Sequence, residues 1–156
     1  MRSLPASIAG YRTYVTLQPE ANVGLSASIS HIVTEADTAS AFESGDVPVL
    51  ATPRALALGE QATVAALAGK MLDGHTSVGM RVNLDHLKAS PVGAIVTATA
   101  VVERVEGRRI TFGVELTNHD GEIVAHGKVV RVFVRRDDFL ARLPEVPTVS
   151  GGAELR

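Results

Sequence analysis

The sequence predicts an α+β domain in which one long helix lies across a curved antiparallel sheet. Three observations carry that expectation. The stretch "ATPRALALGEQATVAALAGKML" joins a helix start signal to a run of small and apolar residues. Four segments of alternating apolar and polar residues follow it, separated by turn residues. Aromatic residues make up only 4% of a chain that is 46% hydrophobic, so the core must be Val, Ile, Leu and Ala, which suits close packing of a helix on a sheet.

The elements follow in order. Residues 1–22 show no clear periodicity and read as an extension, in which "YRTYVTL" is a candidate short strand. From Gly24, "GLSASISHIV" places Leu25, Ala27, Ile29 and His31 at period two, a strand. "TEADTASAF" reads as a short helix with Thr34 as N-cap and Glu35 and Asp37 in its first turn. The central helix starts with Thr52 as N-cap and Pro53 at the first helical position, and is expected to run to about Met71 before Gly74. "TSVGMRVNLDHL", "AIVTATAVVERV", "RRITFGVELTN" and "EIVAHGKVVRVFVRR" are the four strands, with "EGR" and "HDG" as hairpin turns. "DDFLARL" reads as a terminal helix, and residues 144–156 as a loose tail.

Composition narrows the function. A chain of 156 residues is long enough to bury one core and shows no internal repeat. Net charge is −2 and the 15 basic residues are scattered, which argues against nucleic acid. Without cysteine there is no thiolate nucleophile, disulfide or Cys-based metal site. No segment approaches the roughly 18 apolar residues of a membrane span, and a soluble, cytoplasmic protein is the expectation.

One carboxylate in the central helix raises the chemical question. Residues three and four apart share a helix face, which puts Glu60 in a stripe with Leu56, Val64 and Leu67. Beside it, the Thr63 hydroxyl has the Gly59 carbonyl as its expected partner. Glu60 is therefore either an edge residue reaching water or a functional group. On the next strand, Val78, Met80, Val82, Leu84 and His86 alternate onto one face. His86 then belongs to the row that covers the helix, and two ionisable groups fall on faces expected to pack together. His31, His75, His119 and His126 form no pair with metal-ligand spacing, so a metal is not expected. Thr52 needs no role beyond N-cap, although a helix N-terminus also suits a carbonyl developing negative charge. Arg54 and Ala55 would be the amide donors there, since Pro53 has none.

"SGDVPVLATPRALALGEQA", "TSVGMRVNLDHLKASPVG", "VERVEGRRITFGVEL" and the Gly of "AHGKVVRVFV" together resemble the hotdog-fold acyl-CoA thioesterases, in the branch containing fluoroacetyl-CoA thioesterase. The resemblance covers residues 23–143. It implies hydrolysis of acyl-CoA thioesters to acid and CoA, with no cofactor beyond the CoA of the substrate, by a homodimer. Carried over residue by residue, it implies a catalytic threonine at Thr52, glutamate at Glu60 and histidine at His86. Gly79 falls on a glycine contacting the thioester, and Arg131 on an arginine of the last strand. The last strand reads "GKVVR" where this branch usually has Gly-Thr-His-Glu-Arg. "FESGDVPVL" also replaces an aromatic-rich lid, so fluoroacetyl specificity is not expected.

Thr52 and Glu60 stand about 12 Å apart along one helix, too far to touch. A two-fold dimer that brings one chain's Thr52 to the other's Glu60 resolves this. Two other readings stay open. An enoyl-CoA hydratase would use the Asp and His of "NLDHLKASP", which as strand neighbours face opposite ways. A non-catalytic acyl-CoA-binding module would tolerate the altered "GKVVR".

Overall fold

The computed structural model describes residues 21–147, so the candidate strand "YRTYVTL" and most of the expected tail lie outside the described residues. Five strands form one antiparallel sheet: β1 (Ser26–Ile32), β2 (His75–His86), β3 (Ile95–Glu106), β4 (Arg109–Asn118) and β5 (Ile123–Arg135), in the order β1-β3-β4-β5-β2. The long helix α1 (Thr52–Leu67) crosses one face, and a short α2 (Arg136–Ala141) follows β5. The expected α+β arrangement is therefore the observed one.

The face that α1 buries is built from small residues. Ala55, Leu58, Gly59, Ala62, Thr63, Ala66 and Leu67 are buried, and Gly59 lies where an added Cβ would come within 3.6 Å of Val114. With so little side chain between helix and sheet, the backbones approach closely over Val96, Val102, Ile110, Phe112, Leu116 and Val129. Of the predicted stripe of Leu56, Glu60, Val64 and Leu67, only Leu67 is buried on this face, and the other three are one step off it. Leu56 and Glu60 are half-buried and Val64 is 53% exposed, because the Ala and Gly positions make the tighter contact.

Both ends of α1 differ from expectation. The N-cap is Ala51 and not Thr52, because the Ala51 amide donates to the Asp37 carbonyl while its own carbonyl accepts from the Ala55 amide. Thr52 is thus the first helical residue and Pro53 the second. The helix stops at Leu67, short of Met71, since Gly69 takes a left-handed φ of 72° just past the Ala68 cap. The short helix expected after Thr34 is only a 3-10 turn, Glu35–Asp37. The chain then folds back, with Ala39 N–H bonding Val49 O and Thr38 bridging Leu50.

β2 carries the largest surprise. Gly79 pairs with Arg131 and Arg81 pairs with Val130, leaving Met80 as the extra residue of a β-bulge, 44% exposed. The bulge reverses the side-chain phase along the strand. Val82, Leu84 and His86 face α1 as predicted, each opposite an inward residue or Gly127 of β5. Beyond the bulge Ser77 and Gly79 face α1, and Val78 and Met80 do not.

Gly127 marks the closest approach of β5 to β2. A Cβ there would overlap the Asn83 carbonyl oxygen and lie 2.8 Å from the Leu84 Cα, both backbone groups that cannot step aside. Gly127→Ala should lower the free energy of unfolding by about 2–4 kcal/mol in urea titrations.

Candidate active site

Two polar clusters occupy the interface between α1 and β2. The first is at the start of α1, where Thr52 Oγ1 lies 2.9 Å from His86 Nδ1. Thr52 can reach the ring because, as the first helical residue, its side chain is not spent on capping. His86 is the last residue of β2, paired with Ala125, and its Nε2 is buried with no partner among the described residues. Burial pushes the His86 pKa below its ordinary value of 6.5, with a backbone hydrogen bond at Lys88 opposing. In the neutral Nε2–H tautomer the Thr52 hydroxyl donates to Nδ1, a hydroxyl held against a base.

The second cluster lies two turns along α1. Glu60 presses its carboxylate against the Gly79 backbone, where an added Cβ would fall 2.7 Å from Oε1. Arg131 is 7% exposed and inward-facing opposite Gly79. Its Nε donates to Ser77 Oγ at 2.8 Å, Nη2 to the Ser77 carbonyl at 3.0 Å and Nη1 to Thr63 Oγ1 at 3.5 Å. Burial lowers the Arg131 pKa and the Glu60 charge opposes that. The guanidinium stays charged all the same. Thr63 in turn donates to the carbonyl of Glu60 at 2.6 Å, one residue on from the expected Gly59.

Of the residues picked from the sequence, Thr52 meets His86, and Glu60 meets Gly79 with Arg131 nearby, but among the described residues no hydrogen bond or ion pair joins the two clusters. The Ala55 amide, expected as a free donor, closes the first helical turn onto Ala51 at 2.9 Å. The amides free by position are those of Thr52 and Arg54. Arg54's side chain is engaged elsewhere: Nε donates to Asp37 Oδ1 at 2.6 Å, and His31 Nε2 lies 2.7 Å from Asp37 Oδ2. Asp37 is named in the sequence reading only as a first-turn residue of the short helix, and Ser77 is not singled out there. Ser77 was hidden by the bulge, whereas an Asp in the loop before a helix whose own start lacks acidic residues was a legible signal. Among the described residues, no three His, Cys, Asp or Glu side chains gather as a metal-ligand group.

Residues 33–137 match the fluoroacetyl-CoA-specific thioesterase family. The chain belongs to that family. A fluoroacetyl-CoA thioesterase of Streptantibioticus cattleyicolor is 31% identical over 117 residues, 74% of this chain and 80% of that one. A crystal structure of a mutant of the fluoroacetyl-CoA-specific thioesterase FlK superposes with a TM-score of 0.72 at 30% identity, covering 80% of this chain and 96% of that one. Another FlK mutant, solved in complex with acetyl-CoA, gives 0.73 at 26% identity, covering 78% and 95%. The chain is thus a thioesterase of the hotdog fold, the family in which α1 and its five strands find their counterparts.

The lowered pKa of His86 makes stability depend on pH. Below about pH 6.5 the unfolded chain's imidazole takes up a proton that the native ring resists, so unfolding gains as pH falls toward the folded pKa. Wild type should therefore lose stability through that window in urea titrations at stepped pH. His86→Gln should lose less over the same steps, and equal slopes would contradict a depressed native pKa.

Proposed function

We propose that this thioesterase hydrolyses acyl-CoA thioesters to free acid and CoA without metal or organic cofactor, using Thr52, His86 and Glu60 in a composite site of a homodimer. The observation that carries the reading is the Thr52–His86 hydrogen bond at the first turn of α1, in a chain of this family. The thioester carbonyl sits against the helix N-terminus, where the free amides of Thr52 and Arg54 and the positive end of the helix dipole stabilise the developing oxyanion. His86 Nδ1 accepts the hydroxyl proton as Thr52 Oγ1 bonds the acyl carbon. Collapse of the tetrahedral adduct breaks the C–S bond, and the proton leaves with the CoA thiolate. Water then gives a proton to Glu60 as its oxygen bonds the acyl carbon. The bond from that carbon to Thr52 Oγ1 breaks to release the acid, and Glu60 returns the proton to Thr52 Oγ1. Gly79 gives the thioester room beside Glu60, and Arg131 supplies the positive charge behind it.

The separation of the two clusters supports the dimer. β2 ends the sheet order with its outer edge unpaired among the described residues, and exposed Val64 and Met80 are near that edge. Antiparallel pairing of β2 with its two-fold copy, about an axis between Val82 and Asn83, sets Gly79 opposite the partner's His86. One protomer's Glu60 then reaches the other's Thr52, through a self-complementary contact.

Glu60→Ala and His86→Ala should each lower kcat/KM by about 10²–10⁴-fold while the dimer persists in size-exclusion chromatography. Near-normal turnover in either variant would remove that residue from the chemistry. Thiol release should be measured on short, long, branched and aromatic acyl-CoAs, and CoA is expected from at least one class. Tight binding without release anywhere on the panel would favour a binding module, which the altered "GKVVR" stretch of β5 would permit.

A further inference from the structure

The first turn of α1 has no cap of its own. Ala51 offers no side-chain acceptor, no acidic residue follows it, and the Thr52 hydroxyl is committed to His86. What holds the turn is a residue from outside the helix. Asp37 takes the Ala51 amide on its carbonyl at 2.9 Å and the Arg54 Nε on Oδ1 at 2.6 Å, so it grips the helix on either side of Thr52. Its other carboxylate oxygen accepts from the Thr34 amide at 2.7 Å and the Thr34 hydroxyl at 2.9 Å, and lies 2.7 Å from His31 Nε2 on β1. Asp37, 5% exposed as a residue, thereby ties the helix to the sheet. The other half of the contact is tied as well. Leu50 N–H donates to Ser90 O at 2.8 Å, linking the approach to α1 with the loop that follows His86.

We infer that Asp37, working through Arg54, is a positioning residue that holds the first turn of α1 so that the Thr52 hydroxyl meets His86. Burial pushes the Asp37 carboxyl up, but hydrogen bonds from His31, Arg54 and Thr34 outweigh it and keep the group well below the usual carboxylate range. A buried ion pair contributes less stability than its contacts imply, and an apolar pair of the same volume often does as well. What an apolar pair lacks is direction. Two directed contacts from Asp37 to the helix and three to Thr34 and His31 fix where the first turn sits, and a misplacement of about 1 Å is enough to cost on the order of 100-fold in rate.

The catalytic part of this inference rests on the proposed thioesterase chemistry, but the positioning part can be read without turnover. Long-range ¹H–¹⁵N correlation spectra report the ring nitrogens of the five histidines, with His86 assigned by its loss in His86→Gln. Asp37→Asn should move the His86 Nδ1 signal toward its position in Thr52→Ala, although Asp37 does not touch the ring. With an acyl-CoA that wild type hydrolyses, Asp37→Asn should lower kcat about 10- to 100-fold while KM changes less than about threefold. Introduced into Thr52→Ala, the same substitution should change kcat by less than about twofold, because the group it positions is already gone. Should Asp37→Asn not fold, Arg54→Met removes the grip on the helix while leaving Asp37 three donors, and should move the same signal. An unmoved His86 signal in the folded variant, or fully multiplicative losses in the double variant, would overturn the inference. If wild type releases CoA from no thioester, the functional proposal fails by itself and the ring-nitrogen signals still decide the positioning role.

Discussion

The contact between Thr52 and His86 depends on α1 packing closely on its sheet. Ala55, Gly59, Ala62 and Ala66 bring the helix backbone down onto β3 and β4, and larger side chains there would hold the two layers apart. The low aromatic content of the chain and the choice of residues on this face are therefore one constraint. Close packing of this kind leaves little slack. It sets the height of the helix over the sheet, and the cluster around Asp37 sets its position along and across it.

That division explains what was legible in the sequence. Strand identity, strand limits and the existence of the long helix are local properties, written in alternation, in Asp120-Gly121 and in Pro53, and they were readable to within a few residues. The first residue of the helix was not. Thr52 is an excellent N-cap by residue type, but the chain prefers Ala51 because a tertiary partner, the Asp37 carbonyl, takes the Ala51 amide. The phase of β2 was also hidden. A strict period of two from His86 carries Met80 inward and Gly79 outward, and nothing local to "VGMRV" announces the extra residue. Family resemblance named Gly79 and His86 together, whereas alternation placed them on opposite faces. Both were informative, and the bulge reconciles them.

The site residues divide in the same way. Thr52, Glu60, His86 and Arg131 were named by motif, and their neighbourhoods came only from packing. Arg131 is the clearest case, since its hydrogen bonds to Ser77 and Thr63 depend on the rephased end of β2. A buried guanidinium beside Glu60 keeps a positive charge next to the carboxylate, and its hydroxyl and carbonyl partners take up N–H groups without neutralising it. The opposite end of β2 is tuned the other way, with a histidine whose burial favours the neutral ring. One strand thus presents a charged environment at Gly79 and an uncharged one at His86.

The bulge at Met80 gives the protein an unusual kind of vulnerability. Most single-residue changes to a strand alter one side chain and leave its neighbours alone. Taking Met80 into the ladder as an ordinary paired residue would roll Ser77 and Gly79 to the outer surface together, while Val82, Leu84 and His86 kept their places. The two polar clusters are thus linked by a reading frame within the strand. What keeps Gly79 and His86 on one face is that Met80 stands outside the ladder, more than which residue stands there.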